Sequence, residues 1–219
     1  RVASEAVAFR PHVILRLVDP PDLVAQIERR WPAGVRARPR YLMGNVDVEA
    51  TLRRAVQEHP DLKRRLFGLS TPAGSAVVAK FVARHNQLYS PKVTSTSCTD
   101  APYDAFYLLA YAAAALGEEP ITGRALGRAI ARLVPPGPSI EVGPGSIYQA
   151  LGLLRSGKNI DLRGTTTTLD FDLETGEPTA DFAVFCLTGG EKAEPLTLIE
   201  SGMTFIAQTG KLAGALLCP

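Results

Sequence analysis

Apolar runs that switch between strand and helix spacing over residues 13–69 constrain this chain more than any other feature. Residues 13–18 (VILRLV) are a short, β-branched apolar run ended by Pro20 and Pro21, the pattern of a buried strand. Residues 22–31 (DLVAQIERRW) then place Leu23, Val24, Ile27 and Trp31 at helical spacing, with the prolines as lead-in and Asp22 in the first turn. Residues 40–44 (RYLMG) read as the next strand. Residues 46–58 read as a second helix with Val48, Leu52, Ala55 and Val56 on one face, and 66–69 (LFGL) as a third strand. Strand–helix–strand–helix–strand with short loops implies a parallel sheet clad by helices through right-handed crossovers.

The texture then changes. Residues 74–89 read as a helix with Val77, Val78, Phe81, Val82 and Leu88 apolar, and 90–102 as a polar loop. Residues 103–116 form a helix that is apolar nearly all round. Residues 122–133 continue with Leu126, Ile130 and Leu133 in phase. Residues 135–145, rich in proline and glycine, read as loop, and 146–155 as a fourth helix. A helix apolar in every direction must be buried on several sides. With no strand among these four helices, the expectation is that it packs on a sheet made by residues absent from this chain. From residue 164 the pattern returns to β: strands at 169–172 (LDFD) and 182–187 (FAVFCL) joined by the turn LETGEP, then short extended segments across 196–206.

Composition narrows the function classes. Hydrophobic residues make up 46% and charged residues 21%, with a scattered net charge of +2, so no nucleic-acid or membrane partner is called for. The longest strongly apolar run, 105–116, is too short to span a bilayer. The N-terminus carries no signal segment, which reads as a mature or trimmed product. Cys98, Cys186 and Cys218 form no C-x-x-C pair and there are only three histidines, so no zinc site, and no metal or cofactor, is expected. One disulfide with a free thiol, and three reduced thiols, both remain open. Residues 152–159 (GLLRSGKN) approach a phosphate-binding loop, but Asn159 lacks the magnesium-binding hydroxyl and a helix, not a strand, precedes. Gly157 reads instead as a helix-ending glycine. EVGPGS reads as a loop. No G-x-S-x-G elbow exists, and His12, His59 and His85 have no evident nucleophile partner. No catalytic residue is assigned.

In this order, HVILRLVDPPDLVAQI, RYLMGN, RRLFGLS, FVARHNQLY, YDAFYLLAYAAAALG, ITGRALGRAIARL, ALGLLRSGKNIDLRG and TLDFDLETGEPTADFAVFCL resemble the second half of type I periplasmic solute-binding proteins of the Leu/Ile/Val-binding family. The resemblance covers nearly the whole chain except the tail after Gly189. It implies an α/β fold of three-layer αβα lobes with mostly parallel sheets, represented here by a partial chain. Residues 1–71 and 164–219 would belong to the second lobe. Residues 72–163 would be the helices of the first lobe, whose sheet comes from a missing N-terminal half. The implied function is the extracytoplasmic or periplasmic component of an ABC importer, with a membrane-anchored lipoprotein as a variant. It would bind an amino acid or similar small polar ligand by hinge closure and deliver it to a membrane permease, with no enzymatic chemistry. The alternatives are a ligand-sensing receptor domain of the same fold, an α/β enzyme with an unrecognised site, and a protein-interaction module.

Ligands of open α/β sheets sit beyond the carboxyl ends of the strands. That points to Asp19 after the first strand, to Asn45 and Asp47 after the second, and to Ser70 after the third. A zwitterionic amino acid needs an acceptor for its ammonium, and the resemblance implies an acid from the second lobe, hence Asp19 or Asp47. Asp47 also suits a helix N-terminus, and Asp19 a turn before two prolines. The resemblance places Tyr103 and Asp104 near the interlobe cleft, while Asp104 equally suits stabilisation of its own helix start. VDPP stands where the family often has an aromatic, which argues against a branched-chain amino acid.

Overall fold

The computed structural model describes residues 1–17, 22–44, 48, 50–96, 100–190 and 194–219. The chain is a mixed α/β protein whose backbone divides into two compact units. One comprises residues 1–70, 182–206 and 210–219; the other comprises 71–181 and 207–209.

The first unit is built on a six-stranded sheet. After helix α1 (Val2–Phe9) come β1 (Val13–Arg16), α2 (Leu23–Arg30), β2 (Arg40–Gly44), α3 (Ala50–Glu58), a 3-10 turn (Pro60–Arg64) and β3 (Leu66–Ser70). Strands β1, β2 and β3 are parallel and adjacent, in register Ile14–Tyr41 and Tyr41–Leu66. The period of two sends Tyr41, Met43 and Leu66 into the core with Val24 and Ile27 of α2, Trp31 just after it, and Leu52, Ala55 and Val56 of α3. Val13 and Leu15 lie on the other face and remain 57% and 56% exposed. Beneath α2, Glu28 accepts hydrogen bonds from Tyr41 (2.7 Å), Arg38 (2.5 Å) and Arg65 (2.9 and 3.0 Å). Burial pushes this carboxyl up, but the Arg65 and Tyr41 hydrogen bonds, the Arg65 charge and the Arg38 hydrogen bond outweigh it and hold its pKa below the ordinary value.

The sheet is completed by the far end of the chain. Strand β6 (Phe182–Thr188) pairs antiparallel with β3, β7 (Thr197–Ile206) with β6, and β8 (Lys211–Gly214) with β7. Residues 196–206, expected as short segments, are one strand of ten residues after Leu196. Gly202, at φ +85°, is its local irregularity. Cys186 forms a disulfide with Cys218, tying the C-terminal tail to β6.

The second unit contains α4 (Ala76–Leu88), α5 (Ala101–Leu116), α6 (Gly123–Ala129), β4 (Ser139–Glu141), α7 (Ile147–Arg155) and β5 (Asp161–Arg163). Four expectations need correction. First, residues 135–145 are not all loop, because β4 pairs in parallel with β5 across α7. Second, the chain therefore supplies a small sheet of its own. Tyr107, Tyr111 and Ala112 of α5 pack with Ile140, Val142, Leu162, Ala150 and Leu154 in one core. Only one face of α5 is buried; Phe106 and Leu109 on the other are 66% and 51% exposed. Third, residues 169–172 form no strand but one side of a hairpin bridged at Phe171 and Pro178. Fourth, the return to the first unit falls at residue 182, not 164. Leu169 is in the second core and Phe171 packs against it. Helix ends are held by Arg132, which donates to the carbonyls of Ala115 (2.9 Å), Leu154 (3.0 Å) and Lys158 (2.8 Å) and so caps α5 and α7 together. Gly157, at φ +79°, terminates α7.

Candidate functional site

Of the residues named from sequence, Asp19, Asn45 and Asp47 lie outside the described residues. Ser70 ends β3 and is exposed. Strand order β1-β2-β3 is sequential, so these three strands contain no reversal of the kind that opens a crevice in doubly wound sheets.

Tyr103 and Asp104 are neighbours with different tasks. Asp104 is 3% exposed. Its Oδ1 accepts from the backbone N–H (2.8 Å) and hydroxyl (2.7 Å) of Thr165, and its Oδ2 from those of Thr166 (2.8 and 2.6 Å). The carboxylate is saturated by the chain itself and fastens the segment after β5 to the first turn of α5. Gly164 is required beside it, since a Cβ there would stand 2.5 Å from Asp104 Oδ2. In this structure Asp104 acts as a structural anchor between the start of α5 and residues 165–166.

Tyr103 lines a cavity of about 300 Å³ formed wholly within the second unit. Helix α4 contributes Val77, Lys80, Phe81 and Arg84, and the turn from β4 to α7 contributes residues 141–146. Helical spacing puts Val77, Lys80, Phe81 and Arg84 on one side of α4. The turn can pass close to Tyr103 because Gly143 has φ +137° and no side chain; a Cβ there would be 3.4 Å from the Tyr103 hydroxyl. Phe81 packs on Tyr103 at 4.9 Å between ring centres, and Tyr103 on Tyr107 at 5.0 Å. Burial, and then a hydrogen bond with the Tyr107 hydroxyl, push the Tyr103 phenol well above its ordinary pKa, so it stays protonated at neutral pH. Lys80 and Glu141 form an ion pair at the rim.

The arrangement is chemically a small, half-apolar pocket with cationic side chains, a neutral phenol and the start of α7. Lys80, Arg84, Glu141 and Ser146 were not singled out from sequence. The signal was present in VVAKFVAR, where two cations share a side with two apolar residues, but its partner EVGPGS reads alone as a loop. No protein-family model, curated protein or solved structure matches this chain.

Proposed function

We propose that this protein is the extracytoplasmic solute-binding component of an ABC importer, of the type I periplasmic-binding-protein fold, and that it takes an amino acid or similar small polar ligand. The supporting observation is the discontinuous build: residues 1–70 and 182–206 share one sheet, and a helical unit of residues 71–181 is inserted between them. A receptor whose chain passes repeatedly between two α/β bodies is made this way. The Cys186–Cys218 disulfide favours an oxidising, extracytoplasmic compartment. In this reading the ligand is held through Asp19, Asn45, Asp47 and Ser70, with the permease as membrane partner.

Thermal denaturation with each common L-amino acid at millimolar concentration tests the proposal. A ligand bound by the native state raises the melting temperature by mass action. At least one amino acid is expected to raise it, and the rise is expected to vanish in Asp47→Asn or Asp19→Asn. No rise with any amino acid, or a rise untouched by both substitutions, would remove the basis for this assignment.

A further inference from the structure

We propose that the cavity between α4, α5 and the 141–146 turn is a binding site for a small organic acid carrying one carboxylate and a short apolar body. This goes beyond the receptor reading and does not depend on it.

Charge selects the ligand class. Lys80 and Glu141 are paired with each other and cancel. Arg84, which also lines the cavity, is left as the net charge, with the first turn of α7 adding a partial positive charge. One positive charge matches one carboxylate, which a guanidinium can hold through two parallel N–H donors. A phosphate dianion would leave a charge unmatched, and a metal cation would meet the net positive charge of Arg84. The protonated phenol of Tyr103 and the hydroxyl of Ser146 are further polar groups of the lining.

The rest of the lining selects the ligand body. Val77, Phe81 and Val142 are apolar, and an inorganic anion would leave them facing water. A volume of about 300 Å³ stands at the small end of ligand pockets. It admits a short branched acid.

The test is titration calorimetry on the full chain with 4-methylpentanoate, its neutral amide 4-methylpentanamide, and inorganic phosphate. Saturating 4-methylpentanoate is also examined by NMR for contacts with the ring protons of Phe81. The acid is expected to bind, the amide and phosphate to bind at least about tenfold more weakly, and Arg84→Ala to lose about tenfold or more, as removal of a charge-assisted pair predicts. Arg84→Lys is expected to restore part of that loss. Arg84 is exposed, so the folded state should survive either substitution, which far-UV circular dichroism checks. Asp47→Asn is expected to leave this binding unchanged, which separates it from the amino-acid reading. The proposal is overturned if the folded wild type does not bind the acid, if the amide or phosphate binds as tightly, if Arg84→Ala has no effect, or if no contact to Phe81 is seen.

Discussion

Asp104 accepts four hydrogen bonds from two consecutive threonines, and only a carboxylate can take all four. Asparagine offers a single acceptor oxygen and would turn an amide N–H₂ toward two of the donors. Asp104→Asn is therefore expected to lower stability by about 2–4 kcal/mol, the cost of leaving buried donors unpaired, with the loss read from the urea midpoint. A ligand-binding role would instead alter affinity and leave the midpoint in place. From sequence, an acid in the first turn of a helix is legible as favourable there. Its true partners are sixty-one and sixty-two positions away, which no local pattern reveals. Gly164 was silent for the same reason: its need for a missing side chain comes from Asp104, not from its own backbone neighbours.

Glu28 shows the same dependence between elements. It belongs to α2, its partner Tyr41 to β2, and Arg65 immediately precedes β3, so one carboxylate ties together three consecutive pieces of the parallel sheet. Arg65→Met removes two of the four hydrogen bonds to Glu28 and leaves those from Arg38 and Tyr41 in place, and is expected to cost about 2–3 kcal/mol, the worth of hydrogen bonds to a charged group. The folded pKa of Glu28 lies below its ordinary value. Its stabilisation is therefore complete above the unfolded pKa, about 4.3, and is lost as pH falls through the folded value. Urea midpoints measured from neutral to acid pH should fall below that point in the wild type, and less steeply in Arg65→Met. The α2, α3 and β1–β3 elements themselves were readable, because each presents an apolar stripe of the right period over enough residues. Strand β4 was not: three residues flanked by Pro136, Gly137 and Pro138 give no period. Residues 169–172 failed the opposite way, since alternating LDFD looks like a strand but has only a bridge to pair with.

At the scale of the whole molecule, the disulfide is a covalent link between distant parts of the chain. Cys186 and Cys218 are 32 positions apart, and a closed loop of that length stabilises by about 3–4 kcal/mol on chain-entropy grounds. Cys218→Ser is expected to lower the free energy of unfolding by about 2–4 kcal/mol. Reducing agent should lower the wild type by a similar amount and leave the variant unaffected. Two thiols showing full reactivity in the native wild type would contradict the link.

The α/β class and its parallel opening half were determined by the sequence alone, because side-chain period fixes which face of each element seeks the core. The cysteine pairing, the late return at Phe182, the four-bond seat of Asp104 and the cavity of Arg84 and Tyr103 were decided only by tertiary structure. Each depends on residues far apart in the chain meeting at hydrogen-bond or van der Waals distance, and periodicity carries no information about that distance.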